Sequence, residues 1–325
     1  MSWSHTDLID VSGNNRPNIN ARLAGVGDGP NLLLNGHSDV VDVPEEQMKK
    51  WSTDPWTPKE KDGKLFGRGA SDMKGGNAAM LWGTKALMES QINLKGDVLL
   101  SLVIGEESNE QDLGSLPATK AFLDQDYNIP FGINAEPTGM EIHPKSAGSF
   151  DFQATIIGKE VHTSQKNLIQ YPQSSGLPTG QKVGVNVVPI LTDFLESLRS
   201  LEHQWNMELQ DNVYGSGGFP GHDLQGVGPA AICSTKIDVG EFAGSIPGIA
   251  EIKGQIYYPP EEDPEKLWSE VQKVANSLAT THHWLEDNPI QLNHKENFNW
   301  PPYSVPPSHY GCQDIAATVE KVANE

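Results

Sequence analysis

The chain has 325 residues, including 32 glycines and 23 prolines, and carries a formal net charge of −20 at pH 7. This length exceeds one typical domain, and a hydrophobic content of 37% fits a globular, loop-rich α/β protein. The strong acidity argues against nucleic acid or an anionic membrane as a partner, because both would repel the chain.

The two cysteines, Cys233 and Cys312, are far apart and form no Cys-x-x-Cys arrangement. We therefore expect neither a disulfide framework nor a cysteine zinc site, but two idle thiols in a reducing, cytoplasmic setting. The polar segment Met1–Asp10 predicts no secretory signal. The chain also has no run of about 18 apolar residues, so no membrane span is predicted.

Three short apolar runs in the first part of the chain predict buried strands, at Asn31–Asn35, Asp97–Ile104 and Phe131–Ala135. Apolar residues recur at helical spacing in Met73–Ser90, and a second helical stretch is predicted near Leu116–Asp124. Alternating strands and helices are typical of a mainly parallel sheet. We therefore predict an α/β domain here.

A different pattern follows, with four predicted strands and two predicted helices in the order βαββαβ. This order describes a ferredoxin-like α+β domain, with helices on one face of an antiparallel sheet. The predicted elements are Phe150–Ile157, Val183–Trp205, Ala231–Val239, Ile249–Tyr258, Pro264–Ala279 and Ile290–Glu296. A proline-rich linker, Trp300–Pro307, then leads to a helical tail, so the predicted domains are residues 1–147, 148–298 and 299–325.

Acidic residues and one histidine follow the predicted strands of the first domain. They are His37 and Asp39 after the first strand, Glu106 and Glu107 after the second, and Glu136 after the third. In an open α/β sheet ligands collect at the carboxyl ends of the strands, so we expect these side chains to share one crevice. Asp72, in a turn just before the first helix, can join them.

Carboxylates held this close repel one another by several kcal/mol in a partly dry cleft unless a cation lies between them. Lys74 and Arg68 are too few to neutralise four carboxylates, whereas one or two divalent metal ions suffice. One imidazole with several carboxylates suits Zn, Mn or Co. The His-x-Asp spacing of His37 and Asp39 is typical of a ligand imidazole held by a carboxylate. Of two adjacent glutamates, one can bind metal while the other transfers protons.

Each of these residues alone also has an ordinary structural interpretation. His37 can belong to a plain turn, the paired glutamates can be solvated surface, and Asp72 can cap a helix. Glu136, next to a proline, can simply end a strand. Their placement at successive strand ends favours the metal site.

Four segments resemble the successive metal-site motifs of the M20 metallopeptidase family. They are Asn35–Val41 (NGHSDVV), Gly67–Gly76 (GRGASDMKGG), Gly105–Glu107 (GEE) and Glu136–Thr138 (EPT). They are most similar to the acetylornithine deacetylase and succinyl-diaminopimelate desuccinylase group. The resemblance implies a metal-dependent amidohydrolase whose catalytic domain has an inserted lid, or dimerisation, domain at the βαββαβ block.

The resemblance also implies two divalent metal ions, zinc foremost, with cobalt or manganese as alternatives. His37 and Glu136 would bind one ion and Glu107 the other, with Asp72 bridging both.

By the same resemblance, Asp39 would orient the ligand imidazole. Glu106 would be the general base that takes a proton from the attacking water and later delivers it to the leaving nitrogen. His162, in the segment Gly158–Ser164 (GKEVHTS), would reach the site from the partner subunit of a homodimer and stabilise the oxyanion.

The chain departs from the family pattern at several points. The family's last metal ligand is a histidine near the C-terminus, and none of the later histidines here stands in a matching context. The helix and strand usually found ahead of the first motif are also expected to be missing, so the chain is interpreted as cut at both ends. Tyr257–Pro260 replaces an arginine that often holds a substrate carboxylate, and Gly244–Pro247 replaces an asparagine-containing turn.

We therefore predict hydrolysis of a linear amide bond in an N-acyl amino acid or small peptide. A dipeptidase or tripeptidase of the same family is one alternative. A non-catalytic metal-binding or dimerisation fragment is the other, and the missing histidine favours it.

Overall fold

The structure, a computed structural model, describes residues 3–108, 110–139, 141–170, 176, 178–209 and 230–323. The chain divides into two compact units, Met1–Met140 and Glu141–Glu325. Residues 299–325 group with the second unit, and their predicted return to the first domain stays a prediction. No helix among the described residues has the length and apolar character needed to cross a membrane.

The first unit is built around a five-stranded sheet. Its described strands and α-helices are β1 (His5–Ile9), β2 (Asn18–Leu23), β3 (Leu32–His37), α1 (Glu45–Met48), β4 (Lys59–Lys61), β5 (Lys64–Phe66), α2 (Gly76–Glu89), β6 (Val98–Val103), α3 (Ser115–Leu123) and β7 (Phe131–Asn134). The sheet has the order β1-β2-β6-β3-β7, and β4 pairs with β5 in a separate hairpin.

This sheet is mixed, which corrects the expectation of a mainly parallel one. β3 pairs in parallel with β6 and β7, whereas β1 with β2 and β2 with β6 are antiparallel. The three predicted strands and both predicted helices are confirmed as β3, β6, β7, α2 and α3.

Two strands, β1 and β2, precede the first motif, which corrects the strand part of the expectation that the helix and strand usually found there are missing. The reason lies in the composition of β2. Asn18 and Asn20 occupy buried positions, at 0% and 2% exposure, while Ile19 between them is 37% exposed. The strand therefore reverses the apolar-inside alternation from which a strand is predicted.

β6 is covered on both faces, as expected for a central strand. Successive side chains point to opposite sides of a sheet. Leu100 thus packs in one cluster with Met73 and Met80, and Leu99 packs in another with Phe122. Because β3, β6 and β7 run in parallel between these layers, their carboxyl ends meet at one edge of the sheet.

The second unit contains a separate four-stranded antiparallel sheet of order β11-β13-β9-β14. The described elements of this unit are β8 (Lys145–Ser146), β9 (Gly148–Ile157), β10 (Val161–His162), α4 (Lys166–Gln170), α5 (Val187–Glu208), β11 (Ala231–Val239), β12 (Ser245–Ile246), β13 (Ile249–Tyr258), α6 (Pro264–Ser277), β14 (Gln291–Trp300), β15 (Tyr303–Ser304) and α7 (Tyr310–Ala323).

Helices α5 and α6 pack against the buried face of this sheet. Ile156 and Ile252 from the strands share one core cluster with Phe194 from α5 and Leu267 from α6. The four strands and two helices predicted for this part are present. Helix α5 begins at Val187 rather than at the predicted Val183, because the Asn186 side chain accepts a hydrogen bond from the Val188 backbone N–H and caps the helix there.

Candidate metal centre

His37 is the last residue of β3, and its side chain is held at both ring nitrogens. Nε2 lies 3.0 Å from Asp72 Oδ1, and Nδ1 lies 3.0 Å from the backbone oxygen of Asp39. The expected carboxylate partner of Nδ1, Asp39 Oδ1, is farther away at 3.6 Å. Since a backbone carbonyl only accepts hydrogen bonds, Nδ1 carries the proton. The lone pair of a neutral ring is therefore on Nε2, facing the acidic cluster.

Glutamates from two other strand ends also face His37. Glu136 Oε1, after β7, lies 3.7 Å from Nε2, and Glu106 Oε2, after β6, lies 3.9 Å from it. One ligand atom each from His37, Asp72 and Glu107 lie within 4.8 Å of one another. The crevice predicted at the strand ends therefore brings together six of the seven predicted site residues.

Asp72 lies in a turn, Ala70–Gly75, that leads into α2. Its backbone is not helical, with φ −111° and ψ 100°, and the peptide bond to Met73 is cis. The helix starts only at Gly76, and its N-cap position, Gly75, has no side-chain hydrogen bond. The helix-cap interpretation of Asp72 therefore does not apply, and its carboxylate faces His37 instead.

Two glycines make the close approach of these segments sterically feasible. A Cβ on Gly36, one residue before His37, would lie 2.1 Å from Asn77 Oδ1. A Cβ on Gly76 would lie 1.9 Å from the backbone oxygen of Ala135. The N-terminus of α2 thus contacts the ends of both β3 and β7, which positions Glu136 beside the histidine.

The carboxylates change the protonation of the whole cluster. Burial by itself lowers the pKa of His37, but the surrounding carboxylates, Asp39 and Asp72 foremost, outweigh it and raise that pKa to about 10. Burial, with added repulsion between carboxylates, raises the pKa of Glu136 to about 7 and also raises the pKa of Glu106. Burial opposes ionisation of Asp39, yet the nearby His37 ring and hydrogen bonds from backbone N–H groups lower its pKa.

This donor set fits divalent metal ions. Within the part of the chain that the structure describes, no lysine or arginine forms an ion pair with these carboxylates, and His37 is the basic group among them. Lys74 Nζ instead donates to the backbone oxygen of Ser38 at 3.2 Å. Asp39 Oδ1 is buried without a hydrogen-bond partner. A cation offsets this excess of negative charge, and an imidazole with several carboxylates suits zinc, cobalt or manganese.

His162 belongs to the second unit, where β10 pairs with β12. The backbone N–H of Ser164 donates to His162 Nδ1 at 3.2 Å. Nδ1 therefore acts as an acceptor, so a neutral ring carries its proton on Nε2. The side chain is exposed, which leaves this N–H group accessible.

Two amide side chains that support the site carry no sequence signal of their own. Asn77 Nδ2 donates to the backbone oxygen of His37 at 2.6 Å and is buried. Asn18 bonds both ends of the segment that bears Glu106 and Glu107. Only the position of Asn77 directly after the Gly75–Gly76 pair links it to a motif, and Asn18 lies outside all four motifs.

Known proteins resemble this chain in sequence and in fold. Residues 33–297 match peptidase family M20/M25/M40. The chain is 28% identical to N-formyl-4-amino-5-aminomethyl-2-methylpyrimidine deformylase of Bacillus subtilis (strain 168), over 95% of this chain and 69% of that protein. It is 30% identical to a probable succinyl-diaminopimelate desuccinylase of Staphylococcus aureus (strain MSSA476), over 89% of this chain and 67% of that protein.

The fold is similar to that of a tripeptidase from Staphylococcus aureus subsp. aureus Mu50, with a TM-score of 0.65 at 16% sequence identity. That match covers 98% of this chain and 72% of the tripeptidase. The chain thus spans about two thirds of the length of its curated relatives. With its motifs assembled around His37, the chain belongs to peptidase family M20/M25/M40 and is a metal-dependent hydrolase of that family.

Proposed function

We propose that the chain hydrolyses a linear amide bond in an N-acyl amino acid or a small peptide with the help of two divalent metal ions. The observation that carries this proposal is the convergence of His37, Asp72 and Glu107, whose ligand atoms lie within 4.8 Å of one another. The names of the relatives support the proposed substrate class. A deformylase, a desuccinylase and a tripeptidase have in common the cleavage of a linear amide.

In this proposal His37 and Glu136 would hold one metal ion and Glu107 the other, and Asp72 would be shared by both. Zinc is the first candidate, with cobalt or manganese as alternatives. Such ions would polarise the substrate carbonyl and lower the pKa of the attacking water. The proton on His37 Nδ1, directed at the Asp39 backbone oxygen, keeps Nε2 available as the ligand atom.

Glu106 acts as the general base in this proposal, and Asp39 orients the ligand imidazole. Glu106 Oε2 lies 3.9 Å from His37 Nε2, too far for a hydrogen bond, and the side chain is 32% exposed. Its carboxylate is therefore not hydrogen-bonded to the histidine and can reach a water beside the ligands. It takes a proton from that water and delivers it to the leaving nitrogen.

The second unit serves in this proposal as a lid of ferredoxin-like topology that pairs two subunits into a homodimer. His162 of the partner subunit then donates its Nε2–H to the oxyanion. The hydrogen bond from Ser164 to Nδ1 supports this role, because it sets the ring in the tautomer that donates from Nε2.

A substrate screen tests the activity. Purified chain is loaded with Zn²⁺, Co²⁺ or Mn²⁺ and assayed on N-formyl, N-acetyl and N-succinyl amino acids and on di- and tripeptides, beside Glu106→Gln as the inactive control. We expect turnover of at least one class, lost on chelation. Two bound metals without turnover, in this chain and in a version extended to the length of its relatives, contradict the proposal. One bound metal and no turnover favours the non-catalytic metal-binding alternative.

Subunit mixing tests the shared site. Glu106→Gln and His162→Ala homodimers are each inactive, but a mixed dimer restores one complete site. An equal mixture should recover about a quarter of the unmodified activity, because half of the dimers are mixed and each carries one working site. Recovery of no activity after verified subunit exchange contradicts donation across the dimer.

A further inference from the structure

Glu106 and Glu107 of the metal centre lie on the segment between the end of β6 at Val103 and the start of α3 at Ser115. Among the described residues of this segment, Gln111–Leu113 forms a short 3-10 turn. The two ends of the segment come close together, because a Cβ on Gly114 would lie 2.2 Å from the backbone oxygen of Ile104. The conformation of such a compact loop depends on the contacts that hold its two ends together.

One side chain bonds both ends. Asn18 Oδ1 accepts a hydrogen bond from the backbone N–H of Ile104 at 3.0 Å, and Asn18 Nδ2 donates to the backbone oxygen of Leu113 at 2.6 Å. Asn18 is fully buried, at 0% exposure, so water cannot substitute for either bond. Within the described residues, the Asn18 amide thus bridges the entry and the exit of the loop.

The rest of the loop is held by further bonds that do not join its two ends, including the ion pair between Arg16 and Glu110 Oε2 at 3.2 Å. Gly105 adopts a left-handed backbone conformation with φ +80°, and its oxygen accepts from the Glu110 N–H at 2.7 Å. The Glu107 N–H donates to Asp39 Oδ2 at 3.2 Å. Both bonds define the shape of the loop, but neither ties its two ends to the sheet.

We infer that Asn18 is a positioning residue for Glu106 and Glu107, an inference that rests on the proposed function for its catalytic consequence. Only Gly105 separates Ile104 from Glu106, so a shift of the Ile104 backbone is transmitted directly to the proposed general base. A shift of Leu113 releases the loop from its other end. Displacements of about 1 Å at reacting groups cost on the order of 100-fold in rate.

Asn20 provides a matched control on the same strand. It is also an asparagine with 2% exposure, and its amide also makes two buried bonds, to the Ala118 oxygen at 2.7 Å and with the Ser101 hydroxyl at 2.8 Å. Neither partner belongs to the loop. Asn18→Leu and Asn20→Leu therefore remove equivalent buried amides, but only the first releases the loop.

The experiment uses the 325-residue chain and three readouts for each variant. In metal-free protein, hydrogen exchange of the Glu107, Glu110 and Leu113 amides should accelerate at least about 10-fold in Asn18→Leu and stay unchanged in Asn20→Leu. Calorimetric titration with Zn²⁺ should show weakened binding of the ion assigned to Glu107 in Asn18→Leu alone. On a turned-over substrate, Asn18→Leu should lower kcat by about 10- to 100-fold with little change in KM, and shift the acidic limb of the pH profile.

Equal effects of the two variants on exchange, metal binding and the pH profile overturn the inference and leave Asn18 a structural residue. If Asn18→Leu does not fold, Asn18→Asp takes its place at a pH where the new carboxyl is ionised, because the carboxylate keeps an acceptor for Ile104 but cannot donate to the Leu113 oxygen and repels it. Hydrogen exchange of the loop amides in Asn18→Asp should then be faster than in the unmodified chain. An unchanged exchange rate overturns the inference. Absence of any turnover contradicts the proposed function, while exchange and metal binding still decide the role of Asn18.

Discussion

The backbone N–H of Glu107 donates to Asp39 Oδ2 at 3.2 Å, which joins the turn after β3 to the loop after β6. One oxygen of Asp39 thus supports the proposed ligand of the second metal, while the backbone oxygen of the same residue accepts from the His37 ring. Asp39 therefore links the residues that hold the two proposed metal positions. Its lowered pKa agrees with a carboxylate that stays ionised beside these donors.

Asp39→Asn should weaken metal binding by about 10- to 100-fold, the usual effect of removing a supporting carboxylate beside a ligand histidine. Asp42→Asn is the matched control, because the exposed Asp42 carboxylate accepts from its neighbour, the Val43 N–H, and from no other group among the described residues. Metal affinity measured by competition with a chelator separates the two variants. Equal affinities of the two would contradict the role of Asp39.

Glu106→Gln should lower kcat by about 10²- to 10⁴-fold, because the amide cannot accept the proton of the attacking water. Metal content should stay that of the unmodified chain, since Glu106 is not a proposed ligand. Glu46→Gln, at an exposed position of α1, controls for loss of one negative charge. Steady-state kinetics with metal analysis of the same samples checks this, and loss of a metal ion in Glu106→Gln would reassign that residue as a ligand.

Whether a strand of this fold can be predicted from the sequence depends on which of its side chains are buried. β3 and β6 have apolar runs stopped by glycine or polar residues, so their position and the crevice at their ends can be predicted. β2 cannot be found in this way, because Asn18 and Asn20 occupy its buried positions and are satisfied by distant backbone groups. Those partners are 95 and 98 residues away, and no local pattern reports them.

The site likewise contains residues that can be predicted from the sequence and others that cannot. The rule that ligands bind at the carboxyl ends of the strands predicts that His37, Glu106, Glu107 and Glu136 belong to the site. Asp72 follows no strand of the sheet, and its place beside His37 depends on a turn whose shape no periodicity predicts. The bond from the His37 ring to a backbone oxygen is likewise a property of the folded turn.

Metal binding should release protons, and the number of protons released should depend on pH. His37, with a pKa of about 10 in the metal-free chain, is protonated at pH 7 and must lose that proton to become a ligand. Glu136, with a pKa of about 7, is half protonated there. We therefore expect release of about 1.5 protons at pH 7 and more at pH 6, with affinity falling as pH falls.

Titration calorimetry in buffers of different ionisation enthalpy measures this release. A value near zero at pH 7 would show that the histidine is already neutral before the metal binds. Glu136→Gln should reduce the release at pH 7 by about half a proton, whereas Glu46→Gln should leave it unchanged.

Gly76→Ala and Gly83→Ala, both in α2, should have opposite effects. A Cβ at Gly76 would overlap the Ala135 oxygen at 1.9 Å, whereas one at Gly83 meets nothing within 4 Å. Gly83→Ala should raise the free energy of unfolding by about 0.5–1 kcal/mol through helix propensity. Gly76→Ala should lower it by about 1–3 kcal/mol and weaken metal binding, because the strain displaces the segment that carries Glu136.

Chemical denaturation of the metal-free variants gives their free energies of unfolding, and metal titration gives their metal affinities. A stable Gly76→Ala variant with unchanged metal affinity would mean that the β7 end moves aside without disturbing the ligand.

His162→Ala should lower kcat by about 10²- to 10³-fold, the cost of removing one oxyanion donor. Metal stoichiometry and the free energy of unfolding should change little, because His162 is exposed and its hydrogen bonds within the described part of the chain are local ones to Ser164. His203→Ala, at an exposed position of α5, is the matched control. Retention of full kcat by His162→Ala would remove this residue from the mechanism. A loss of kcat shared equally with His203→Ala would point instead to a general effect of the second unit on the enzyme.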